Sequence, residues 1–329
     1  MSSETSFPLG PLSPREQNRD IVWMMLPLLA VSCYLYGARP AVMCLVGSIT
    51  AAFCDRLVAW LRGRPHDRTE NSSIPAVLVM LMLMPATLSY YIVVITSMTV
   101  VLVAKAPFGG YGHYPFNPSA VGYAVAAVSW PSQVFTYPVP FTTMSVFSTA
   151  EATMVESAAH SLQAGGTPNV RALNLVLGNY AGPMGTTALL VVLACAMYLW
   201  MRRDIDFAIP VGFLGACALV AFFFPRIDNI GLAVPWEHLY VRYQSVKYEL
   251  LTGALLYASV FLINERVTRP KNRRAHLVYG ILLGVMTMTF RYVGTYDTGV
   301  CFAILCVNAL SGYLDRLFAS RVRREEVSS

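Results

Sequence analysis

Apolar runs alternate with short polar and basic segments along nearly the whole chain. Many of these runs approach about 20 residues, the length that a helix needs to cross the hydrocarbon core of a bilayer. The pattern predicts ten membrane segments, at about 21–37, 40–61, 74–85, 87–104, 118–130, 184–201, 206–225, 248–264, 276–292 and 298–317. The predicted fold class is therefore an all-α polytopic membrane protein.

The apolar run from Asn71 to Ala104 contains no charged residue, yet it is too long for one helix. At a rise of 1.5 Å per residue it would extend about 50 Å, whereas the hydrocarbon core is about 30 Å thick. Pro85 lies within the run, and proline ends or kinks a helix because it lacks a backbone donor. We therefore predict two segments with an interruption at Pro85.

A second interruption is predicted where the sequence from Phe108 to Tyr123 reads FGGYGHYPFNPSAVGY. Asparagine is a good N-cap and proline is favoured at the first helical position, so a helix should begin at Asn117-Pro118. Its N-terminus would carry unpaired N–H groups and a partial positive charge. Irregular backbone at membrane depth must be buried in protein or line a cavity, which makes this loop the first candidate for a functional site.

Composition and charge agree with a membrane protein. Charged residues make up 13% of the chain, against about 25% in soluble domains. The net charge of +6 does not indicate nucleic-acid binding, because the basic residues concentrate in alternate loops, as the positive-inside rule requires. The loops predicted to be cytoplasmic contain Arg15, Arg19, Arg62, Arg64, Arg68, Lys105, Arg202, Arg203, Arg266, Arg269, Lys271, Arg273, Arg274, Arg316, Arg321, Arg323 and Arg324. Both termini are therefore predicted to be cytoplasmic, and no cleavable signal peptide is expected.

Ten segments with both ends on one side divide into five plus five, with the two halves inserted in opposite directions. Such inverted repeats with interrupted helices build binding sites near the middle of the membrane. The predicted parts are a cytoplasmic N-terminal tail, a first transmembrane half, an extracytoplasmic loop, a second transmembrane half and a cytoplasmic C-terminal tail, at 1–20, 21–130, 131–183, 184–317 and 318–329. A short pattern occurs once in each half. The fifth segment is preceded by Phe108, Gly112 and Tyr114, and the tenth segment is preceded by the same residue types at the same spacing, Phe290, Gly294 and Tyr296.

The sequence has no phosphate-binding loop, no zinc-ligand spacing and no catalytic Ser/His/Asp pattern, so no catalytic or metal-binding residue is predicted. The seven cysteines lie in apolar segments, and nearly all of them are predicted to be small buried residues, with a cluster shared with another subunit as the alternative. Asp55 beside Arg56 is predicted to be structural. Glu249 is predicted to pair with Lys247, and Asp297 to cap the tenth segment.

Three ordered blocks carry a resemblance to a known family. FGGYGHYPFNPSAVGYA, at 108–124, resembles the "GGLG-NPFNPA-xxGY" signature of the D subunit of the ion-translocating Rnf electron-transport complex, in the RnfD/NqrB family. LNLVLGNYAGPMGTTALL, at 173–190, is similar to the family's "LFLGNxGGSxGETSxL" block. The stretch 264–315, with NERVTRP followed by LVYGILLGVMTMTFRYVGTYDTGVCFAILCVNALSGYLD, resembles its C-terminal block.

The resemblance implies a membrane subunit of an ion-translocating ferredoxin:NAD⁺ oxidoreductase, which carries electrons through bound flavin while the complex moves Na⁺ or H⁺. It implies other Rnf-type membrane and peripheral subunits as partners, a location in the cell membrane, and no contact with nucleic acid. No stand-alone catalytic residues are evident. Two alternatives stay open: a flavin-free transporter or channel, and a structural subunit of the same fold.

Members of the family carry FMN on the threonine of a "DGxSGAT" motif in an extracytoplasmic loop. The matching stretch here is 161–168, SLQAGGTP, which places Thr167 at the attachment position and Gly165 and Gly166 before it. Ser161 stands at the position of the motif's aspartate, Ala164 at that of its serine and Gly166 at that of its alanine. The alternative for this stretch is an ordinary Gly-Thr-Pro turn without a cofactor. The glycine-rich turn that begins at Gly178 and Asn179 is predicted to offer N–H donors to an anion.

The family also holds a second, non-covalent flavin, riboflavin or another, within the membrane domain. Aromatic faces suit an isoalloxazine ring, so Tyr111, His113 and Tyr114, together with Asn117, are its predicted contacts here. The alternative is that these aromatic residues belong to the interfacial belt of the membrane protein.

Overall fold

The computed structural model describes residues 13–63, 72–147, 154–155, 157–168, 170–227, 238–294 and 298–328. The helices are α1 Pro14–Tyr36, α2 Arg39–Leu61, α3 Ser73–Met82, α4 Tyr90–Leu102, α5 Pro118–Ser129, α6 Pro131–Val134, α7 Ala158–Gln163, α8 Ala172–Leu177, α9 Leu189–Met201, α10 Ala208–Phe223, α11 Leu239–Leu251, α12 Leu255–Phe261, α13 His276–Val293 and α14 Val300–Ser328. The strands β1 (Tyr137–Pro138) and β2 (Met154–Val155) pair antiparallel.

The all-α polytopic fold is confirmed. Within the described ranges, five helical segments are long and apolar enough to cross a membrane, and they are Pro14–Tyr36, Arg39–Leu61, Tyr90–Phe108, Arg273–Val293 and Val300–Phe318. The helices α3, α5, α9 and α10 are apolar but shorter, with 10 to 16 residues. At 1.5 Å per residue, α3 extends only about 15 Å. Irregular backbone must therefore complete its path across the bilayer.

Some of the helix contacts correspond between the first and the second half of the chain. In the first half, α2 packs against α3 and α4, and α5 packs against α4. In the second half, α10 packs against α11, α12 and α13, and α14 packs against α13. The five-plus-five inverted repeat stays a prediction.

Several boundaries differ from the predicted ones. The segment predicted at 248–264 is two helices, because Gly253 adopts φ +77° between α11 and α12, a conformation that glycine reaches at little cost. The N-cap Ser13 and Glu16 form a capping box that starts α1 inside the predicted N-terminal tail. Helix α14 likewise continues through most of the predicted C-terminal tail. Asp297, the predicted cap of the tenth segment, lies outside the described residues.

Loops predicted to be cytoplasmic lie at one end of the helix bundle, and loops predicted to be extracytoplasmic lie at the other end. At one end, Arg202 Nε lies 2.9 Å from Asp20 Oδ2, which joins the end of α9 to the start of α1. At the other end, Arg39 Nη1 donates to Ser145 O over 3.1 Å, which joins the start of α2 to the long loop. Arg266 Nη2 also donates to Arg203 O at 3.1 Å, and Lys271 N donates to Asp315 Oδ2 at 3.0 Å. The described basic segments after α9 and α12 therefore share one end of the protein with the start of α1.

Small residues allow α10 and α13 to pack closely. A Cβ atom built on Gly284 would lie 2.6 Å from Phe213 O and 2.7 Å from Ala216 Cβ. A Cβ on Gly212 would lie 2.8 Å from Leu277 O. Close approach of backbones at small residues is a common basis of helix association in membranes.

We expect Gly284→Ala to force the two helices apart and to lower the free energy of unfolding by about 1–3 kcal/mol, the usual cost of overpacking. Gly215→Ala on α10 is the matched control, because a Cβ there meets no atom within 4 Å. It should be neutral or slightly stabilising, since alanine has the higher helix propensity. Unfolding of both variants in mixed micelles tests this, and equal effects would contradict the packing argument.

Candidate functional site

The structure confirms that a helix begins at Asn117-Pro118 and that its tip is buried in protein. Asn117 is 2% exposed. Its side-chain oxygen accepts hydrogen bonds from Ser119 N at 2.9 Å and Ala120 N at 3.3 Å. Its amide nitrogen donates to Leu262 O at 2.8 Å, just beyond the end of α12. One side chain therefore caps α5 and also binds the end of a broken helix from the other half.

A second amide completes this junction. Asn308 of α14, with its side-chain oxygen toward Asn117, accepts from Asn117 N at 3.0 Å. In that orientation its nitrogen lies 2.6 Å from the hydroxyl of Tyr279 on α13 and 3.3 Å from Ile304 O. Four segments of the chain thus meet at the N-terminus of α5 through hydrogen bonds between buried polar groups.

The other broken helix, α3, also ends against the opposite half. Met184 N donates to Met84 O at 3.1 Å, and Gly185 N donates to Met82 O at 2.8 Å. A Cβ on Gly185 would lie 2.5 Å from Met82 Cβ, so the close approach needs glycine. The prediction that this turn offers its N–H groups to an anion is wrong for these two donors, because backbone carbonyls already accept them.

The aromatic residues before Asn117 lie near the carboxyl group of Glu265, a residue that sequence analysis did not identify. Tyr114 is buried, and its hydroxyl donates to Glu265 Oε1 at 3.1 Å. The Tyr111 ring meets the Tyr114 ring edge-on with 6.3 Å between centroids. His113 is exposed, with Nδ1 3.2 Å from Tyr111 O. Burial raises the pKa of Glu265 in the loop after α12, while the hydrogen bond from the Tyr114 hydroxyl acts in the opposite direction and lowers it by a smaller amount.

Thr167 lies on a compact turn that follows α7. Gly165 has φ +79°, and its N–H donates to Leu162 O at 3.0 Å. Gly166 N donates to Ser161 O at 3.0 Å, and Thr167 is exposed. The turn therefore presents the threonine to solvent.

Gly178 and Asn179 have structural roles at the end of α8. Gly178 caps the helix with φ +85°, and a Cβ there would lie 2.9 Å from Thr187 O. Asn179 is exposed, and its N–H donates to Asn174 O at 2.9 Å. Glycine is thus needed at 178 both for the left-handed conformation and for the close approach.

The predicted site residues form two separate groups. Gln163, just before the Thr167 turn, donates through Nε2 to Gly294 O at the end of α13. Tyr279, which contacts the Asn117 junction, lies near the start of α13. The 15 residues between these two points correspond to about 22 Å of helix. Thr167 and the Tyr111–Asn117 loop therefore lie toward opposite ends of the bundle.

One buried ion pair agrees with a structural role for Asp55. Lys105 Nζ lies 3.2 Å from Asp55 Oδ1 and donates to Ser73 Oγ at 2.8 Å, with both charged side chains buried. Ser73 Oγ in turn donates to Asp55 Oδ1 at 2.8 Å. The adjacent Arg56 is exposed. The group joins α2, the start of α3 and the end of α4.

The predicted partner of Glu249 is wrong. Arg291 Nη1 lies 3.1 Å from Glu249 Oε2, and Arg226 Nε lies 3.6 Å from Oε1. Lys247 instead lies over the Tyr248 ring at 4.3 Å. The true partners are 42 and 23 residues away in the chain, so no local sequence pattern could identify them.

The cysteines are dispersed among the helices. Five are buried, Cys33 is partly buried and Cys306 is exposed, so most of the cysteines are buried, as predicted. Among the described residues, no group of three or more His, Cys, Asp or Glu side chains could hold a metal ion.

Comparison with known proteins identifies the family. Residues 5–324 match the model of the NQR2, RnfD, RnfE family. The chain is 25% identical to the D subunit of the proton-translocating ferredoxin:NAD(+) oxidoreductase complex of Clostridium ljungdahlii, over 92% of this chain and 90% of the relative. It is 26% identical to the D subunit of the ion-translocating oxidoreductase complex of Alcanivorax borkumensis (90% and 89%), and 25% identical to that of Escherichia coli K12 (94% and 94%). This chain therefore belongs to the NQR2, RnfD, RnfE family.

Proposed function

We propose that the protein is the D subunit of an Rnf-type ion-translocating oxidoreductase complex, a redox-driven pump for Na⁺ or H⁺. The observation that carries the proposal is the match over nearly the whole chain to relatives that bear this name, at similar lengths. The buried junction at Asn117 supports it, because interrupted helices that meet inside protein are how membrane transporters build sites away from lipid. Other subunits of the complex are the proposed partners.

The proposed location is the cell membrane, with both termini in the cytoplasm. The basic loops share one end of the bundle, and the positive-inside rule assigns that end to the cytoplasm. The turn that carries Thr167 then faces the extracytoplasmic side, and the Tyr111–Asn117 loop faces the cytoplasmic side.

We further propose that Thr167 carries FMN through its phosphate. The residues fit this role in one respect, because Thr167 is exposed on a glycine turn that an attaching enzyme could reach. When bound, the flavin would supply electron transfer, and the protein would position it and tune its potential. A second, non-covalent flavin is proposed beside Tyr111 and His113, which leave aromatic surface outside the buried core.

Thr167→Ala is expected to abolish covalent flavin. The test is in-gel fluorescence of the purified, denatured chain after co-expression with the attaching enzyme. Thr143→Ala is the matched control, since Thr143 is also exposed in the region between α5 and α9, and it should keep a fluorescent band equal to wild type. A fluorescent band in Thr167→Ala would remove Thr167 from the scheme.

A flavin-free transporter or channel is the second candidate, favoured by the replacement of four motif residues at 161, 162, 164 and 166. In this case the wild-type band would lack fluorescence, and vesicles containing the protein would move cations without an electron donor. Fluorescence in the wild-type band would reject it.

A further inference from the structure

A basic cleft of about 810 Å³ opens at the end of the bundle where α9 stops and α10 and α13 begin. Five cationic side chains line it, and they are Arg203, Arg266, Arg269, Lys271 and Arg273. The carboxylate in the lining, Asp206, is held by His276 Nδ1 at 2.9 Å and by Arg273 Nε at 3.1 Å. The cleft therefore has a clear excess of positive charge.

Arg269 offers the cleft a buried donor. Its Nη1 is buried and makes no hydrogen bond within the part of the chain that the structure describes. Burial and the neighbouring Arg266 cation lower the pKa of Arg269, which means that its surroundings do not fully compensate its charge. A buried guanidinium N–H without an acceptor favours an anionic oxygen as its partner.

The rim of the cleft is aromatic and continues into an apolar helix face. The Trp200 and Phe207 rings pack edge-on with 5.3 Å between centroids, yet they are 54% and 46% exposed. Met197 and Leu193, one and two turns before Trp200 on α9, are exposed as well. Cations beside exposed aromatic residues at the end of apolar helices are typical of the membrane interface.

From this arrangement we propose that the cleft binds the phosphate headgroup of an anionic phospholipid, with an acyl chain along the exposed face of α9. In this arrangement the buried Arg269 and the exposed Lys271 both contact the phosphate. Trp200 and Phe207 lie at the level of the glycerol. Basic pockets between transmembrane helices suit such headgroups. A soluble acidic protein would not need the adjoining apolar face. The site does not depend on the proposed flavin.

The test is native mass spectrometry of the full-length chain with phosphatidylglycerol or phosphatidylcholine of the same acyl chains. We expect one phosphatidylglycerol to bind in preference to phosphatidylcholine. Arg269→Gln and Lys271→Gln should each weaken it about fivefold, the effect of one basic residue near a lipid phosphate. Lys271→Gln changes an exposed side chain and keeps the test valid if Arg269→Gln misfolds. Arg274→Gln is the matched control, an exposed arginine nearby that does not line the cleft, and it should bind as wild type.

Three results would overturn the proposal. Equal binding of the two lipids, or unchanged binding by both cleft variants, would show that the cleft does not select a lipid phosphate. Displacement of the lipid by an equal concentration of inorganic phosphate would identify a free anion as the occupant. In native mass spectra of the whole complex, release of a partner subunit by Lys271→Gln, with the lipid preference of the chain unchanged, would assign the cleft to protein docking.

Discussion

Arg291→Met is expected to lower the free energy of unfolding by about 3–5 kcal/mol, the cost of removing one partner of a buried ion pair. Arg291 is 3% and Glu249 0% exposed, and the guanidinium also donates to Glu249 O at 3.1 Å. Loss of the arginine would leave the Glu249 carboxylate beside Arg226 alone, at 3.6 Å. Unfolding of the purified variant in mixed micelles measures the effect.

The matched control is Arg273→Gln, which removes an arginine from a pair in which that side chain is 87% exposed. Its cost should stay below about 1 kcal/mol, as is usual for exposed ion pairs. The double variant Glu249→Gln/Arg291→Met should recover part of the loss, because it removes the buried carboxylate together with the buried guanidinium and leaves Arg226, whose side chain is 11% exposed, over the Tyr292 ring at 4.0 Å. A double variant no more stable than Arg291→Met would show that the pair is not the source of the effect.

Asn117→Ala is expected to cost about 2–4 kcal/mol, which combines the loss of a helix cap with the loss of a donor to a buried carbonyl. After the change, the hydrogen bond that Leu262 O keeps within the described part of the chain is a long one of 3.4 Å from Glu265 N. The tip of α5 and the end of α12 would then separate more easily. Ion transport coupled to electron flow in the complex should fall together with the stability.

Two variants separate these contributions. Ser13→Ala removes an N-cap from an exposed capping box at the start of α1, and it should cost only about 1 kcal/mol. Asn117→Ser can still cap α5 but is too short to reach Leu262 O, so its stability should fall between Asn117→Ala and wild type. If Asn117→Ala costs no more than Ser13→Ala, the bond to Leu262 does not stabilise the junction.

Much of the architecture follows from local signals. Apolar runs of bilayer length predicted α1, α2, α13 and the start of α14, because a helix is the way for an isolated segment to pair its own backbone groups in lipid. Pro85 predicted the interruption between α3 and α4. Asn117-Pro118 predicted the start of α5, because capping depends on residues adjacent in the chain.

Contacts between distant segments needed the tertiary structure. Three contacts join residues that are far apart in the chain. They are the Tyr114–Glu265 hydrogen bond, the Asn117–Asn308 hydrogen bond and the Glu249–Arg291 ion pair, with separations of 151, 191 and 42 positions. A side chain's own neighbours in sequence do not specify which partner satisfies it once it is buried. Lys247 is the cation nearest to Glu249 in the sequence, yet in the folded chain Arg291 and Arg226 lie beside the Glu249 carboxylate.

The sequence by itself determined that the chain crosses a membrane, where most of the long helices lie, where two segments are interrupted and which loops carry positive charge. These properties depend on the free energy of each segment in lipid and water, which is local. Only the tertiary structure decided that the interrupted ends meet across the two halves, that the predicted flavin residues form two distant groups, and that the arginines after α12 line one cleft. Those outcomes depend on how the helices pack, because packing decides which buried polar groups find partners.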